Sequence, residues 1–145
     1  MIKKTILAIL LMVSSLMASE VNWAKDYQTG IKEAKKAHKP VLFIISRDTC
    51  KYCRILDATT LKDKQVVKAL SRDFIAIRSW TNENDYIPRE IRANTPGLPG
   101  IWFLYSDGMP MFRPLMGMVE KDDFLKALAI VNEEFKKQNK KGDKK

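Results

Sequence analysis

The feature that most constrains this chain is a continuous apolar segment that leads directly into two cysteines. The segment PVLFIIS is rich in β-branched residues, a pattern typical of a strand buried on both faces. Cys50 and Cys53, the two cysteines of the chain, follow it and are separated by Lys51 and Tyr52. Because CKYCRILDATTL contains no helix breaker, a helix is expected to begin at or just before Cys50. The sequence therefore predicts a cysteine pair at a strand-to-helix junction.

Several kinds of site use two cysteines at this spacing, and the available ligands separate them. Zinc usually needs four ligands, often as two separated pairs, whereas this chain offers one pair and a lone His38. A solvated position at the end of the first helix is the ordinary explanation for His38. Covalent haem attachment needs a histidine directly after the second cysteine, where Arg54 stands. A structural disulfide that closes so short a loop removes little chain entropy. The sequence predicts no metal and no cofactor, and it favours a redox pair.

Redox chemistry fits the predicted position of the pair. A cysteine at a helix N-terminus faces the positive end of the helix dipole and unpaired backbone N–H groups, which stabilise the thiolate. Cys50 is therefore predicted to be the exposed nucleophile. Cys53, one helical turn further in, is predicted to be the shielded resolving thiol. The nearby charges are mainly positive: Arg47, Lys51 and Arg54, opposed by Asp48.

The N-terminus has the layout of a secretory signal peptide. Lys3 and Lys4 precede an apolar run over residues 6–17, and small residues follow at Ala18 and Ser19. Because this run is shorter than the roughly 18 residues of a spanning helix, we expect a cleavable signal over residues 1–18 rather than an uncleaved membrane anchor. Outside the cytoplasm an unpaired thiol pair tends to be oxidised, so only dedicated chemistry keeps it cycling.

The remainder of the chain is predicted to be one domain over residues 19–136, followed by a basic, disordered tail over residues 137–145. Much of the formal net charge of +9 lies in this tail. No aromatic residue beyond Phe135 is interleaved with its lysines, as base stacking would require. A solvated helix end is therefore favoured over a membrane patch, and no nucleic-acid partner is expected.

Hydrophobic periodicity predicts the other elements. Trp23, Tyr27, Ile31 and Ala34 lie at helical spacing, and Asn22 is available as the N-cap of that helix. FIAIRSW and IWFLY are predicted as strands, and SDG as the turn to a return strand within MFRPLMGM, where Pro114 requires a sheet edge. Val66, Val67 and Leu70 mark a short helix, and a brief one contains Ile91 with Pro88 in its first turn. A C-terminal amphipathic helix has one apolar face, formed by Phe124, Leu128, Val131 and Phe135. The alternation predicts an α/β domain with a mixed sheet of about four strands and helices on both faces.

Three segments carry a resemblance to the thioredoxin superfamily over nearly all of the mature chain. KPVLFIISRDTCKYC resembles the family's strand and active site, GLPGIWFLYSDG its cis-proline segment, and PLMGMVEKDDFLKAL its last strand and closing helix. The leading helix and KPVLF most resemble exported bacterial, periplasmic members, and TCKYC is similar to Dsb isomerase sites. The resemblance implies a thioredoxin fold and a thiol:disulfide oxidoreductase that uses Cys50 and Cys53.

The same resemblance implies further site residues. Pro99 would be the cis-proline facing the cysteine pair, with Pro96 as the less favoured alternative. The backbone of Leu98 would pair with an extended substrate, and Thr49 and Tyr52 would contact it. Two positions depart from the family: Ile44 replaces the acid usual six residues before the first cysteine, and Thr49 replaces an aromatic residue. The direction of electron flow is therefore left open between reductase, isomerase and oxidase.

The expected partners are exported proteins with thiols or disulfides and a redox partner, such as a membrane thiol carrier, that recycles the pair. Two alternatives remain open. One is a dedicated reductant for a single client, such as an apocytochrome or a thiol carrier. The other is a non-catalytic module that keeps the fold and binds peptides in the groove beside Pro99.

Overall fold

The computed structural model describes residues 20–142. The predicted signal over residues 1–18 lies outside this range, as do residues 143–145. Within the described range, no helix has both the length and the apolar character needed to span a bilayer.

The described residues form a four-stranded mixed sheet with helices on both faces, which confirms the predicted architecture. In chain order the elements are α1 (Tyr27–Ala37), β1 (Val41–Ser46), α2 (Lys51–Ala58), a 3₁₀ turn (Thr60–Lys62), α3 (Lys64–Asp73), β2 (Ile75–Trp80), α4 (Arg89–Ala93), β3 (Gly100–Leu104), β4 (Leu115–Met116) and α5 (Lys121–Gly142). The strand order is β2-β1-β3-β4. β1 pairs with β2 in parallel, whereas β1 with β3 and β3 with β4 are antiparallel.

The central strand β1 is buried along its whole length, as its unbroken apolar run predicts. Its alternate side chains enter two separate cores because successive residues of a strand point to opposite faces. Leu42 and Ile44 pack with apolar residues of α2, α3 and α5. Val41 and Phe43 pack on the other face with residues of α1 and α4. The sheet thus fixes α2, which carries the cysteines, against one face.

The first helix begins later than the sequence predicts. Asp26, not Asn22, is its N-cap, and the Asp26 carboxylate accepts a hydrogen bond from the backbone N–H of Thr29 at 2.7 Å. The prediction of Asn22 was wrong because the preceding residues are extended along the sheet edge. Trp23 forms a parallel bridge to Ala76 of β2, and Ala24 N–H donates to the Ala76 carbonyl at 2.8 Å.

The return strand after the turn is shorter than predicted. Gly108 has a φ of 92° in the turn, a conformation that glycine adopts at little cost. Beyond it, only Leu115 and Met116 form β4, at the edge of the sheet. Pro114, which has no N–H to donate, directly precedes this strand.

Two helix boundaries also differ from expectation. Pro88 is the N-cap of α4 and lies just outside its first turn. α5 continues through Gly142, past the boundary expected at residue 136, so residues 137–142 of the predicted disordered tail are helical. Their lysines are exposed, as expected for a solvated helix end.

Candidate redox site

The cysteine pair lies at the start of α2, where the sequence predicts it. Cys50 is the N-cap residue, and its sulfur accepts a hydrogen bond from the backbone N–H of Cys53 at 3.2 Å. Cys50 and Cys53 are joined by a disulfide bond. The helix therefore places the sulfur of Cys50 against N–H groups that have no partner within the helix.

The two sulfur-bearing residues differ in accessibility. Cys50 is half-buried at the surface, whereas Cys53 is only 1% exposed. Thr49 and Tyr52 on either side of Cys50 are exposed, with Tyr52 55% accessible. An incoming thiol or disulfide can thus reach Cys50 while Cys53 is shielded.

Hydrogen bonds to neighbouring loops hold the segment between β1 and α2. The Arg47 side chain donates to the hydroxyl of Thr81 at 3.0 Å, and the backbone N–H of Asp48 donates to the side-chain oxygen of Asn82 at 3.2 Å. Arg54 of α2 donates to the carbonyl of Asp48 at 2.8 Å. These hydrogen bonds hold in place the loop that leads from β1 to Cys50.

The Leu98–Pro99 peptide bond is cis, as the sequence resemblance implies. Pro99 is buried, and its carbonyl accepts a hydrogen bond from Gly117 N–H at 3.0 Å. The next residue, Gly100, pairs with Ile45 near the carboxyl end of β1. The topology therefore brings Pro99 to the end of the sheet at which Cys50 lies. Substrate contacts by Leu98, Thr49 and Tyr52 stay predictions.

The comparisons with known proteins agree with this geometry. Residues 27–132 match the family described as the thioredoxin-like domain. The chain belongs to this family. It is a thioredoxin-like thiol:disulfide oxidoreductase with Cys50 and Cys53 as its redox pair.

Individual relatives are distant. Anterior gradient protein 3 of Mus musculus is 23% identical over 132 residues, which cover 80% of this chain and 76% of that protein. Other curated relatives are matched over less than half of their own length. A thioredoxin from Thermus thermophilus superposes with a TM-score of 0.65 at 22% identity, covering 77% of this chain and 87% of its own. The oxidised DsbD C-terminal domain of Neisseria meningitidis gives a TM-score of 0.53 at 26% identity, covering 69% and 87%.

This thioredoxin-like domain has an ion pair beside its redox helix that the sequence analysis missed. Arg78 of β2 donates to the Asp57 carboxylate of α2 through both terminal nitrogens, with Nη1 3.2 Å from Oδ2. The guanidinium lies 4.1 Å from the ring centroid of Trp23 and 5.1 Å from that of Trp80. A single charged residue, Arg78, within the otherwise uncharged strand FIAIRSW was the available signal.

Metal ligands are not gathered at this site. Among the described residues, no group of three or more histidine, cysteine, aspartate or glutamate side chains could hold a metal ion. His38 is instead the C-cap of α1, with a left-handed φ of 51°.

Proposed function

We propose that the protein is an exported thiol:disulfide oxidoreductase that exchanges disulfides with the cysteines of other exported proteins. The observation that carries the proposal is the Cys50–Cys53 disulfide at the start of α2, with a half-buried first cysteine and a fully buried second one. This arrangement suits a nucleophile that captures a client and a resolving thiol that releases it.

The exchange balances as two thiolate displacements. The Cys50 thiolate attacks a client disulfide, so that a Cys50–client bond forms, the client bond breaks, and one client thiolate leaves. The Cys53 thiolate then attacks the Cys50 sulfur and expels the second client thiolate. The client gains two electrons and two protons, and the cysteine pair loses them. The reverse sequence transfers a disulfide to the client.

Export and location in the periplasm are supported by the N-terminal sequence, in which Lys3 and Lys4 precede an apolar run and a small-residue cleavage region. A membrane thiol carrier as recycling partner would fit this location, because an exported pair needs dedicated chemistry to cycle. The likeness to the DsbD C-terminal domain supports a Dsb-type redox partnership.

Insulin reduction by dithiothreitol is the primary test of exchange activity. The wild-type protein is expected to accelerate it, and Cys50→Ser is expected not to. An inactive wild type that still reduces one purified client would instead support the dedicated reductant. Equal peptide binding by wild type and Cys50→Ser, with no turnover by either, would support a binding module.

The reduction potential of the pair sets the direction of exchange. A value near the roughly −270 mV of thioredoxin favours client reduction, whereas one near the roughly −120 mV of DsbA favours client oxidation. Export is tested separately by expressing the full chain in a Gram-negative bacterium and fractionating the cells. A periplasmic product whose mass lacks residues 1–18 is expected, and a full-length cytoplasmic product would contradict export.

A further inference from the structure

Asp57 follows Cys53 by one helical turn on α2. Residues four apart on a helix are neighbours, with about 5–6 Å between their Cβ atoms. Helical side chains also lean toward the N-terminus, so a residue covers the turn that precedes it. The side chain of Asp57 therefore extends over the turn that holds the buried Cys53.

Arg78 holds the Asp57 carboxylate in place. The arginine side chain is only 12% exposed, and its guanidinium lies against the rings of Trp23 and Trp80 while it donates to both carboxylate oxygens. Such cation–π contacts and a planar fork of donors restrict the guanidinium to one orientation. Arg78 Nε is buried and has no hydrogen-bond partner among the described residues, which leaves a donor for a water or an anion beside the carboxylate.

The ion pair lies beside an uncharged position of β1. Ile44 at this position is fully buried, and its partner in the parallel register is Arg78. Ile44 and Leu56 of α2 pack in the same core, so α2 covers this face of the sheet. β1 thus carries no charge at this position. The neighbouring strand β2 carries Arg78, and the helix α2, which covers this face, carries Asp57.

Asp57 also has a route to solvent. Its side chain is 34% exposed, and a pocket of about 190 Å³ is lined by Asp57, Arg78, Trp23 and their neighbours. The other charged groups of this pocket are Lys62 and Glu20, which form an exposed pair at 3.4 Å. A proton on Asp57 can therefore pass to water without crossing the core.

We propose that Asp57 accepts the proton released by Cys53 when this thiol resolves a mixed disulfide, and that Arg78 is the positioning residue for Asp57. The inference deepens the proposed function and rests on it. The Cys53 S–H bond breaks, its proton goes to Asp57, and the Cys53 sulfur attacks the Cys50 sulfur. The client thiolate leaves and takes up a proton from water, while Asp57 loses its proton through the pocket.

Stopped-flow reaction of the reduced protein with a peptide disulfide separates the two steps. The first phase forms the mixed disulfide at Cys50, and the second resolves it. Only about 3% of a thiol with the ordinary pKa of ~8.5 is ionised at pH 7, so a base can accelerate the second phase by up to roughly 30-fold. In Asp57→Asn we expect this phase to slow by roughly 10- to 30-fold at pH 7 and to approach the wild-type rate at about pH 9.5.

Further variants separate proton transfer from structural support. Asp57→Glu keeps a carboxylate and should retain most of the rate, whereas Arg78→Lys keeps the charge but loses the fork and should give an intermediate loss. Asp73→Asn, which breaks a comparable ion pair with Arg72 on α3, should leave both phases unchanged. An unchanged second phase in Asp57→Asn, or a slowing equal at both pH values, would overturn the inference. A wild type without the first phase would overturn the proposed function and this inference with it.

Discussion

The backbone N–H of Cys53 points at the sulfur of Cys50, 3.2 Å away, at the first turn of α2. After reduction, this N–H and the helix dipole remain directed at the same sulfur and favour its ionised form. We therefore expect the pKa of the Cys50 thiol to lie well below the ~8.5 of a free thiol. The ultraviolet absorbance of the thiolate, followed against pH with Cys50→Ser as the blank, measures this pKa. A midpoint close to ~8.5 would contradict the prediction.

The unequal burial of the two cysteines predicts which variant traps clients. Cys53→Ala should accumulate mixed disulfides through Cys50, because no resolving thiol remains to release them. Cys50→Ala should accumulate almost none, since Cys53 is only 1% exposed. Non-reducing electrophoresis of both variants, expressed at equal levels, gives the comparison. Equal trapping would show that the nucleophile is misassigned.

Local patterns in the sequence are sufficient to predict most of this fold. The apolar run of β1 and the unbroken helix at Cys50 depend on neighbouring residues alone, and both are confirmed. The bridge from Trp23 to Ala76 is not predictable in this way because it joins segments far apart in the chain. The same holds for Asp57 and Arg78, which lie 21 residues apart in the chain and meet only when α2 packs beside β2.

Tyr52 offers a test of client contact that does not involve the chemistry of the sulfurs. Its side chain is exposed between the two cysteines, so Tyr52→Ala should not affect stability. Tyrosine is enriched among the minority of contact residues whose truncation costs more than about 1 kcal/mol, so we expect a loss of at least roughly fivefold in kcat/KM for a protein client. The rate with a small aromatic disulfide should be unchanged. Ile130→Ala on α5, another exposed residue, is the control, and an equal loss there would contradict a specific contact.

The Arg72–Asp73 pair should make stability depend on pH. Hydrogen bonds from Arg72 lower the pKa of Asp73 in the folded protein relative to its ordinary value of 3.8. A lowered folded pKa means that the contribution is present above the unfolded value and is lost as the pH falls through the folded one. Asp73→Asn should therefore reduce the free energy of unfolding at pH 7. Urea titrations should show this difference shrinking toward pH 3, whereas a constant difference would contradict it.

A substitution at Gly30 tests how closely α1 approaches the sheet. A Cβ atom at this position would lie 2.5 Å from Cδ1 and Cγ1 of Ile77, a residue with no exposed surface. Replacing glycine with alanine within a helix normally gains about 1 kcal/mol. Overpacking a filled core costs roughly 1–3 kcal/mol, so the clash should outweigh this gain.

Gly30→Ala is therefore expected to lower Tm by a few degrees, as measured by circular dichroism. Gly142→Ala is the matched control because its Cβ would meet nothing within 4 Å at the end of α5, and its Tm should not fall. The helix that Gly30 belongs to packs on the face of the sheet opposite α2, so the rate of insulin reduction should stay at the wild-type value in both variants. A Gly30→Ala protein with a raised Tm would show that Ile77 can move aside, and that helix propensity rather than packing decides stability at this contact.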